Sequence, residues 1–300
     1  MLCWSVSGIA IKHALAVLPP FTMIIMRFTL SVLLMLVIGL CCRGYKELNL
    51  QAISRKDIPL FVLAGFFQPF LYYLLETYTY NAFSSPTIAE TLLSTSPLLS
   101  PLFAAVLLRE RVTRNNMIGI LVSTLGMLML LLVGSNFQLM NFDSQSAIGN
   151  PLGIPLAFAS VSTAILYTVI LRRIPSHYSD LSIVFWVQLI SLLFFYPVWG
   201  FVEGPQALES TFVHSPFDHS SIMMAIGCVV YLAVFASVLA FILFCYTVRR
   251  IGVIQTNAFN NIRPAFTALW MLLFFGESLP AGKWIGMVLI IVGLFVCQKK

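Results

Sequence analysis

Long apolar blocks dominate this chain, short polar connections separate them, and the blocks share one length. They run over 2–18, 21–41, 58–80, 84–108, 116–134, 151–171, 181–201, 221–247, 253–275 and 281–297. Roughly 17 to 25 residues is what an α-helix needs to cross the hydrocarbon layer of a bilayer. Lipid offers no partner to an unpaired backbone group, and a helix pairs its own. The pattern therefore predicts an all-α polytopic membrane protein with ten transmembrane helices. The first block has no basic leader, carries Lys12 and His13 in its second half and runs straight into another block. It reads as a retained helix rather than a secretion signal.

One cadence occurs twice against this background: Pro97, Glu110, Gly119, Gly126, and then Pro264, Glu277, Gly286, Gly293. Both runs have intervals of 13, 9 and 7, so the second is the first displaced by 167 residues. Each copy ends one apolar block and opens the next, which marks an internal duplication. Five spans per copy is an odd number, so the second copy enters the membrane from the opposite side. The expected fold class is two inverted five-helix repeats, 1–134 and 151–300, joined by an external linker over 135–150. A duplicated membrane unit is above all a transporter signature.

Composition narrows the picture further. Hydrophobic residues make up 59% of the chain and charged ones 9%, where a soluble domain carries about 25% charge. A soluble globule is excluded. Of 17 basic residues, 13 fall in alternate connections, in the groups Arg43 to Lys56, Arg109 to Arg114, Arg172 with Arg173, Arg249 with Arg250, and Lys299 with Lys300. By the positive-inside rule both termini are cytoplasmic, and the expected location is a bacterial inner (plasma) membrane. Topology accounts for the net charge of +6, so no nucleic-acid partner is expected. The six cysteines show no framework spacing. No HExxH, P-loop, paired-cysteine or GxSxG pattern is present, so the reading includes no enzyme, cofactor or metal. Gly119, Ser123, Gly126, Gly286 and Gly293 place small residues on single helix faces, which fits close packing within the chain or a homodimer interface.

Tyr80, Ser84, Ser85, Thr95, Pro97, Leu98 and Leu99, followed by Leu108, Arg109, Glu110, Arg111, Gly119 and Gly126, resemble the fourth and fifth helices of the EamA-type drug/metabolite transporters. Trp4, Ser5, Lys12, Pro19, Pro20 and Arg27 look like that family's first two helices, and Pro264, Gly276, Glu277 and Gly286 match its second-half hallmark. The resemblance covers essentially the whole chain. It implies a ten-helix inverted-repeat carrier in which helices one to four and six to nine surround a central cavity. It also implies alternating-access export or exchange of small metabolites, amino acids among them. Glu76, Glu90 and Arg263 depart from the broad pattern.

Ionisable residues inside the spans are the candidate chemistry, since a charge at mid-membrane costs about 3 kcal/mol on insertion scales and needs a partner, water or an interface. Topology places Lys12, Arg27, Glu76 and Glu90 at similar depth in the outer half, where they suggest one charge-balanced network, although Lys12 and Arg27 are also long enough to snorkel to headgroups. Glu90 and Glu76 are the candidates for proton coupling, because burial raises a carboxylate pKa and a nearby cation lowers it. Gln68, Tyr72, Glu76 and Tyr80 recur at fourfold spacing, as one polar stripe. Glu90, Ser94, Pro97 and Pro101 make a similar face. In the second half Thr256, Asn260, Arg263 and Thr267 follow helical spacing, with Asn257 and Asn261 on the flank. Arg263 would hold a solute carboxylate or phosphate bidentately, or pair with Glu90. Arg263, Asn257, Asn260, Tyr72, Gln68 and Ser94 are the expected solute contacts, and Pro97 and Pro264 the expected helix-bending points.

The function these features imply is secondary transport of a small polar metabolite, of the amino-acid or organic-anion class, by alternating access. Export and proton coupling complete that expectation. The alternatives are an uncoupled facilitator or exchanger and a non-transporting membrane sensor.

Overall fold

The computed structural model describes residues 1–41, 50–82, 92–109, 112–132, 152–212, 217–275 and 280–298. They form helices, and no strand occurs among them. The elements are α1 (Leu2–Leu15), α2 (Pro20–Cys41), α3 (Ile58–Gly65), α4 (Tyr72–Ala82), α5 (Ser96–Phe103), α6 (Arg114–Leu132), α7 (Gly153–Arg173) and α8 (Asp180–Val202). They continue with α9 (Gly204–Phe212), α10 (His219–Tyr231), α11 (Ala240–Ile251), α12 (Val253–Ala258), α13 (Arg263–Phe275) and α14 (Ala281–Gln298). Among the described residues, six helical stretches are long and apolar enough to cross a membrane: Pro20–Cys41, Ile58–Thr79, Gly153–Arg173, Asp180–Val202, His219–Ile251 and Ala281–Gln298. The chain is a multi-pass membrane protein. One expected connection, 202–220, instead holds the short helix α9.

Several of these stretches are interrupted, each for a local reason. Between α3 and α4 the backbone widens into a π-helical stretch, Phe66–Leu71, in which Gln68 is extended (φ −151°, ψ 125°). Pro69 there supplies no backbone donor to the ladder. The fourfold stripe expected from Gln68 through Tyr80 is therefore not continuous: Gln68 stands before the break, Tyr72 and Glu76 after it. A second π-helical stretch, Ala104–Leu108, follows α5, a third, Leu232–Leu239, joins α10 to α11, and a 3₁₀ turn, Phe259–Ile262, joins α12 to α13.

The contacts divide the chain into two compact units. The first comprises Met1–Ser5, Leu71–Arg172 and Val248–Lys300, the second Val6–Phe70 and Arg173–Thr247. Each draws on both halves of the sequence.

In the first unit the longest packing seam runs between α6 and α14. A Cβ on Gly126 would lie 2.6 Å from the Gly286 carbonyl oxygen, and one on Gly293 would lie 2.6 Å from that of Gly119. The backbones are in direct contact, which is what small residues on facing helices permit. The glycines of the duplicated cadence thus pack copy against copy within one chain. Thr113 and Asn116 cap α6 reciprocally, with the Asn116 N–H donating to Thr113 Oγ1 at 3.2 Å and the Thr113 N–H to Asn116 Oδ1 at 3.1 Å. Asn116 Nδ2 also donates to the Cys297 carbonyl at 2.6 Å, which ties the start of α6 to the end of α14.

In the second unit α2 packs on α8 and on the π-helical stretch after α10. Arg27, 2% exposed, donates from Nε to Ser237 Oγ at 2.7 Å and lies 5.4 Å from the centre of the Phe28 ring. Gln188 accepts from Ser31 Oγ at 2.5 Å and donates to the Ser237 carbonyl at 2.6 Å. Gln188 thus ties α2 to the π-helical stretch through one side-chain amide.

The N-terminus of α2 is capped from a distance. Glu203, 182 residues on, accepts from the Phe21 N–H at 2.9 Å, the Thr22 N–H at 2.6 Å and the Thr22 hydroxyl at 2.7 Å. Pro20 opens the helix, and the next two amides would otherwise be unpaired. A carboxylate there also faces the positive end of the helix dipole. Glu203→Ala should therefore cost about 1–2 kcal/mol, read as a lower Tm in detergent, with Glu203→Gln losing less. Identical melting of both variants and the parent would show that the cap carries no stability.

Candidate functional site

Helix α4 begins just past the break after Gln68, and its first two turns carry Tyr72, Tyr73 and Glu76, all buried. Tyr72 and Glu76 are one helical turn apart, so they share a face. The Tyr72 hydroxyl donates to Glu76 Oε1 at 2.8 Å, and the Tyr72 and Tyr73 rings meet edge to face at 5.2 Å. Ser160 of α7 donates to the Tyr72 carbonyl at 3.4 Å. The Glu76 carboxylate and the Arg263 guanidinium both lie within electrostatic reach of the Tyr72 hydroxyl. A carboxylate, a phenol and a guanidinium are thereby gathered in the first unit, in a setting where charges are weakly screened.

Arg263 is the first residue of α13, directly after the 3₁₀ turn, and is half-buried. Three asparagines before it reach three different helices. Asn257 Nδ2 donates to Thr168 Oγ1 of α7 at 3.4 Å, and Asn260 Nδ2 donates to Ser96 Oγ of α5 at 3.0 Å and to Asn257 Oδ1 at 3.4 Å. Asn261 Nδ2 donates to Ser123 Oγ at 2.7 Å and Thr124 Oγ1 at 3.3 Å, both on α6. Asn257 lies in α12 and Asn260 and Asn261 in the 3₁₀ turn, and their bonds to three helices pin the backbone that carries Arg263. Two turns farther along the helix Trp270 Nε1 donates to Ser5 Oγ at 2.9 Å.

Ser94 lies in the turn before α5 and is 1% exposed. Its hydroxyl has no hydrogen-bond partner among the described residues. Leaving such a group unpaired costs about 1–3 kcal/mol, a cost that a bound molecule or a water would remove.

The residues expected at the site are distributed as follows. Tyr72, Glu76, Ser94, Asn257, Asn260 and Arg263 all belong to the first unit, whereas Gln68 and Arg27 belong to the second. Arg27 makes its hydrogen bond to Ser237 there. Glu90, Glu110 and Glu277 lie outside the described residues, as do the side chains of Lys12, Tyr80 and Pro264. Pro97 and Pro264 do not bend helices from within. Each is the second residue of a helix, α5 or α13, where a missing donor costs nothing. The breaks lie just ahead of them, at the Ser94–Thr95 turn and the 3₁₀ turn. Ser96 and Thr168 carry no signal in the sequence, and Ser123 stands out there only as a small packing residue, because a hydroxyl partner on another helix has no linear spacing to announce it. The one available signal was the asparagine triplet itself, whose amides demand partners.

Comparison with known proteins completes the description. The family model described as the EamA-like transporter family matches residues 1–132 and 151–297. An uncharacterized transporter of Bacillus subtilis (strain 168), YetK, is 26% identical over 284 residues, covering 94% of this chain and 79% of its own. YyaM, an uncharacterized transporter of the same strain, is 25% identical over 96% of this chain and 87% of its own. An uncharacterized transporter of Archaeoglobus fulgidus is 21% identical over 99% and 95% respectively. One solved crystal structure matches with a TM-score of 0.72 at 20% identity, covering 99% of this chain and 94% of its own, which is a likeness of fold.

Proposed function

The chain belongs to the EamA-like transporter family, as a multi-pass membrane transporter, and we propose that it is a secondary carrier for a small polar or anionic metabolite, moved outward by alternating access. Ten helices in two inverted repeats, both termini cytoplasmic and a bacterial plasma membrane complete the proposal. The two separate family matches, 1–132 and 151–297, support the duplication.

One observation carries the reading: a single unit holds Arg263, the hydrogen-bonded Glu76–Tyr72 pair and the asparagine-rich helix break, and in it the buried Ser94 hydroxyl has no partner among the described residues. Arg263 holds the solute's carboxylate or phosphate, Ser94, Asn257 and Asn260 supply neutral hydrogen bonds, and Glu76, linked to Tyr72, exchanges the coupling proton. Glu90 shares that coupling role.

The test is uptake into proteoliposomes of a panel of amino acids, organic acids and nucleosides, with and without an imposed pH gradient. Saturable flux of an anionic solute that follows the gradient is expected, and Glu76→Gln should remove the dependence on the gradient. Flux indifferent to pH in the parent would replace coupling with exchange, and no flux for any solute would overturn the carrier reading. Ser94→Ala separates solute contact from structure. Deleting an unpaired buried hydroxyl should leave the Tm unchanged or slightly higher, yet raise the KM by about tenfold through the loss of one solute hydrogen bond. An unchanged KM would remove Ser94 from the site.

A further inference from the structure

The second unit contains a groove of about 420 Å³ that the transport reading does not use. Its walls are α2, α8 and α10, with Ile25 and Leu33 on one side and Ile226 and Val230 on another, and Leu208 of α9 closes one end. We propose that this groove binds one acyl chain of a phospholipid whose headgroup carries an amine.

The lining selects the chain. It is apolar except for three hydroxyls and one indole N–H, all of them engaged: Thr29 Oγ1 and Tyr196 Oη lie 3.2 Å apart, and Thr22 Oγ1 donates to Glu203 and accepts from Trp199 Nε1 at 2.9 Å. A water needs two to four polar partners to settle in a cavity, and the groove does not offer them to water or to a polar solute. An open apolar slot in the hydrocarbon layer is filled by hydrocarbon.

Length and position agree. From Thr22 to Leu33, α2 rises roughly 16 Å at 1.5 Å per residue, close to the depth of one leaflet, half of a hydrocarbon core of about 30 Å. The Thr22 end lies at the interface. Gly204, at φ +64°, turns the chain out of α8 into α9, whose Gly204 and Thr211 are buried while Gln206, Glu209 and Ser210 are exposed. Trp199 at this end is typical of the aromatic belt.

Charge selects the headgroup. Residues 202–220 contain Glu203, Glu209 and Asp218 but neither lysine nor arginine. Glu203 is consumed in capping α2, while Glu209 and Asp218 are exposed. Within a Debye length of about 8 Å at physiological salt, this rim attracts an ammonium and repels a headgroup of net negative charge.

The test is native mass spectrometry of the full chain in detergent, with dioleoyl phosphatidylethanolamine or dioleoyl phosphatidylglycerol as probe. One retained ethanolamine adduct is expected at concentrations about fivefold below those needed for the glycerol lipid with the same chains. Ile226→Trp and Val230→Trp each fill the slot and should abolish the adduct, while Leu243→Trp, on an exposed position of α11 outside the groove, should keep it. Glu209→Lys should reverse the headgroup order without losing the chain. Equal retention of the two lipids, an adduct that survives both filling variants, or a headgroup order unmoved by Glu209→Lys would each overturn the proposal.

Discussion

Gly126→Val is expected to destabilise the protein strongly, lowering both its Tm and its folded yield. The Cβ alone would stand 2.6 Å from the Gly286 carbonyl oxygen and 2.7 Å from the Ile290 amide nitrogen. Both are backbone atoms of a facing helix, so no rotamer change can relieve the clash, and α6 and α14 must separate along their seam. Overpacking a well-filled core costs about 1–3 kcal/mol and sometimes more. Here the loss includes the close backbone contact that drives helix association where lipid supplies no hydrophobic force. A destabilisation of roughly 3 kcal/mol should appear as a fall in Tm of several degrees or more, together with aggregation on size exclusion. Gly227→Ala is the control, because a Cβ there meets nothing within 4 Å, and such a substitution should move the Tm little. A Gly126→Val protein that melted with the control would mean that the seam is not a determinant of stability.

That seam also shows what could be read from the chain and what could not. Interval and register of the glycines were legible, because small residues spaced along one face mark a helix that packs closely. Their partner was not, since the same face suits a neighbour in the chain or a second copy, and only the fold sets Gly126 against Gly286. Span positions were legible within a few residues for α2, α7, α8 and α14, whose apolar runs have sharp polar ends. Interruptions were less so. Pro97 and Pro264 announced a break, but proline is at ease in a first turn and disruptive in an interior, and the sequence does not say which it occupies. The distant cap on α2 was invisible, because Glu203 reads as one more acidic residue of a connection until α8 brings it to Phe21 and Thr22. Site chemistry was half legible. Arg263, Glu76 and the asparagines stood out because charge and amide groups are costly in lipid. The hydroxyls that hold the asparagines are less so: Ser96 and Thr168 are inconspicuous in any sequence, and Ser123 reads only as a small packing residue.

Arg263→Gln should lower transport of an anionic solute by about 100-fold, with most of the loss in KM. Taking away one member of a desolvated charge pair costs on the order of 3 kcal/mol, and each 1.4 kcal/mol is a factor of ten. Arg263→Lys should fall between the two, because an ammonium keeps the charge but not the planar fork that grips a carboxylate or phosphate. The loss has two readings, and a double variant separates them. If Arg263 serves chiefly to neutralise the Glu76 carboxylate, then Arg263→Gln strands a buried anion beside Tyr72, and adding Glu76→Gln should restore much of the flux. Under the solute-binding role the second change restores nothing, because the solute's own charge still lacks its partner. A neutral analogue of the solute gives the complementary readout: its weaker uptake should be nearly indifferent to Arg263→Gln if the guanidinium contacts the anionic group, and should fall in step with the parent solute if the arginine only maintains the fold around it. The expected pattern is no rescue in the double variant and indifference of the analogue. Rescue, or a parallel loss for both solutes, would reassign Arg263 to the architecture of α13.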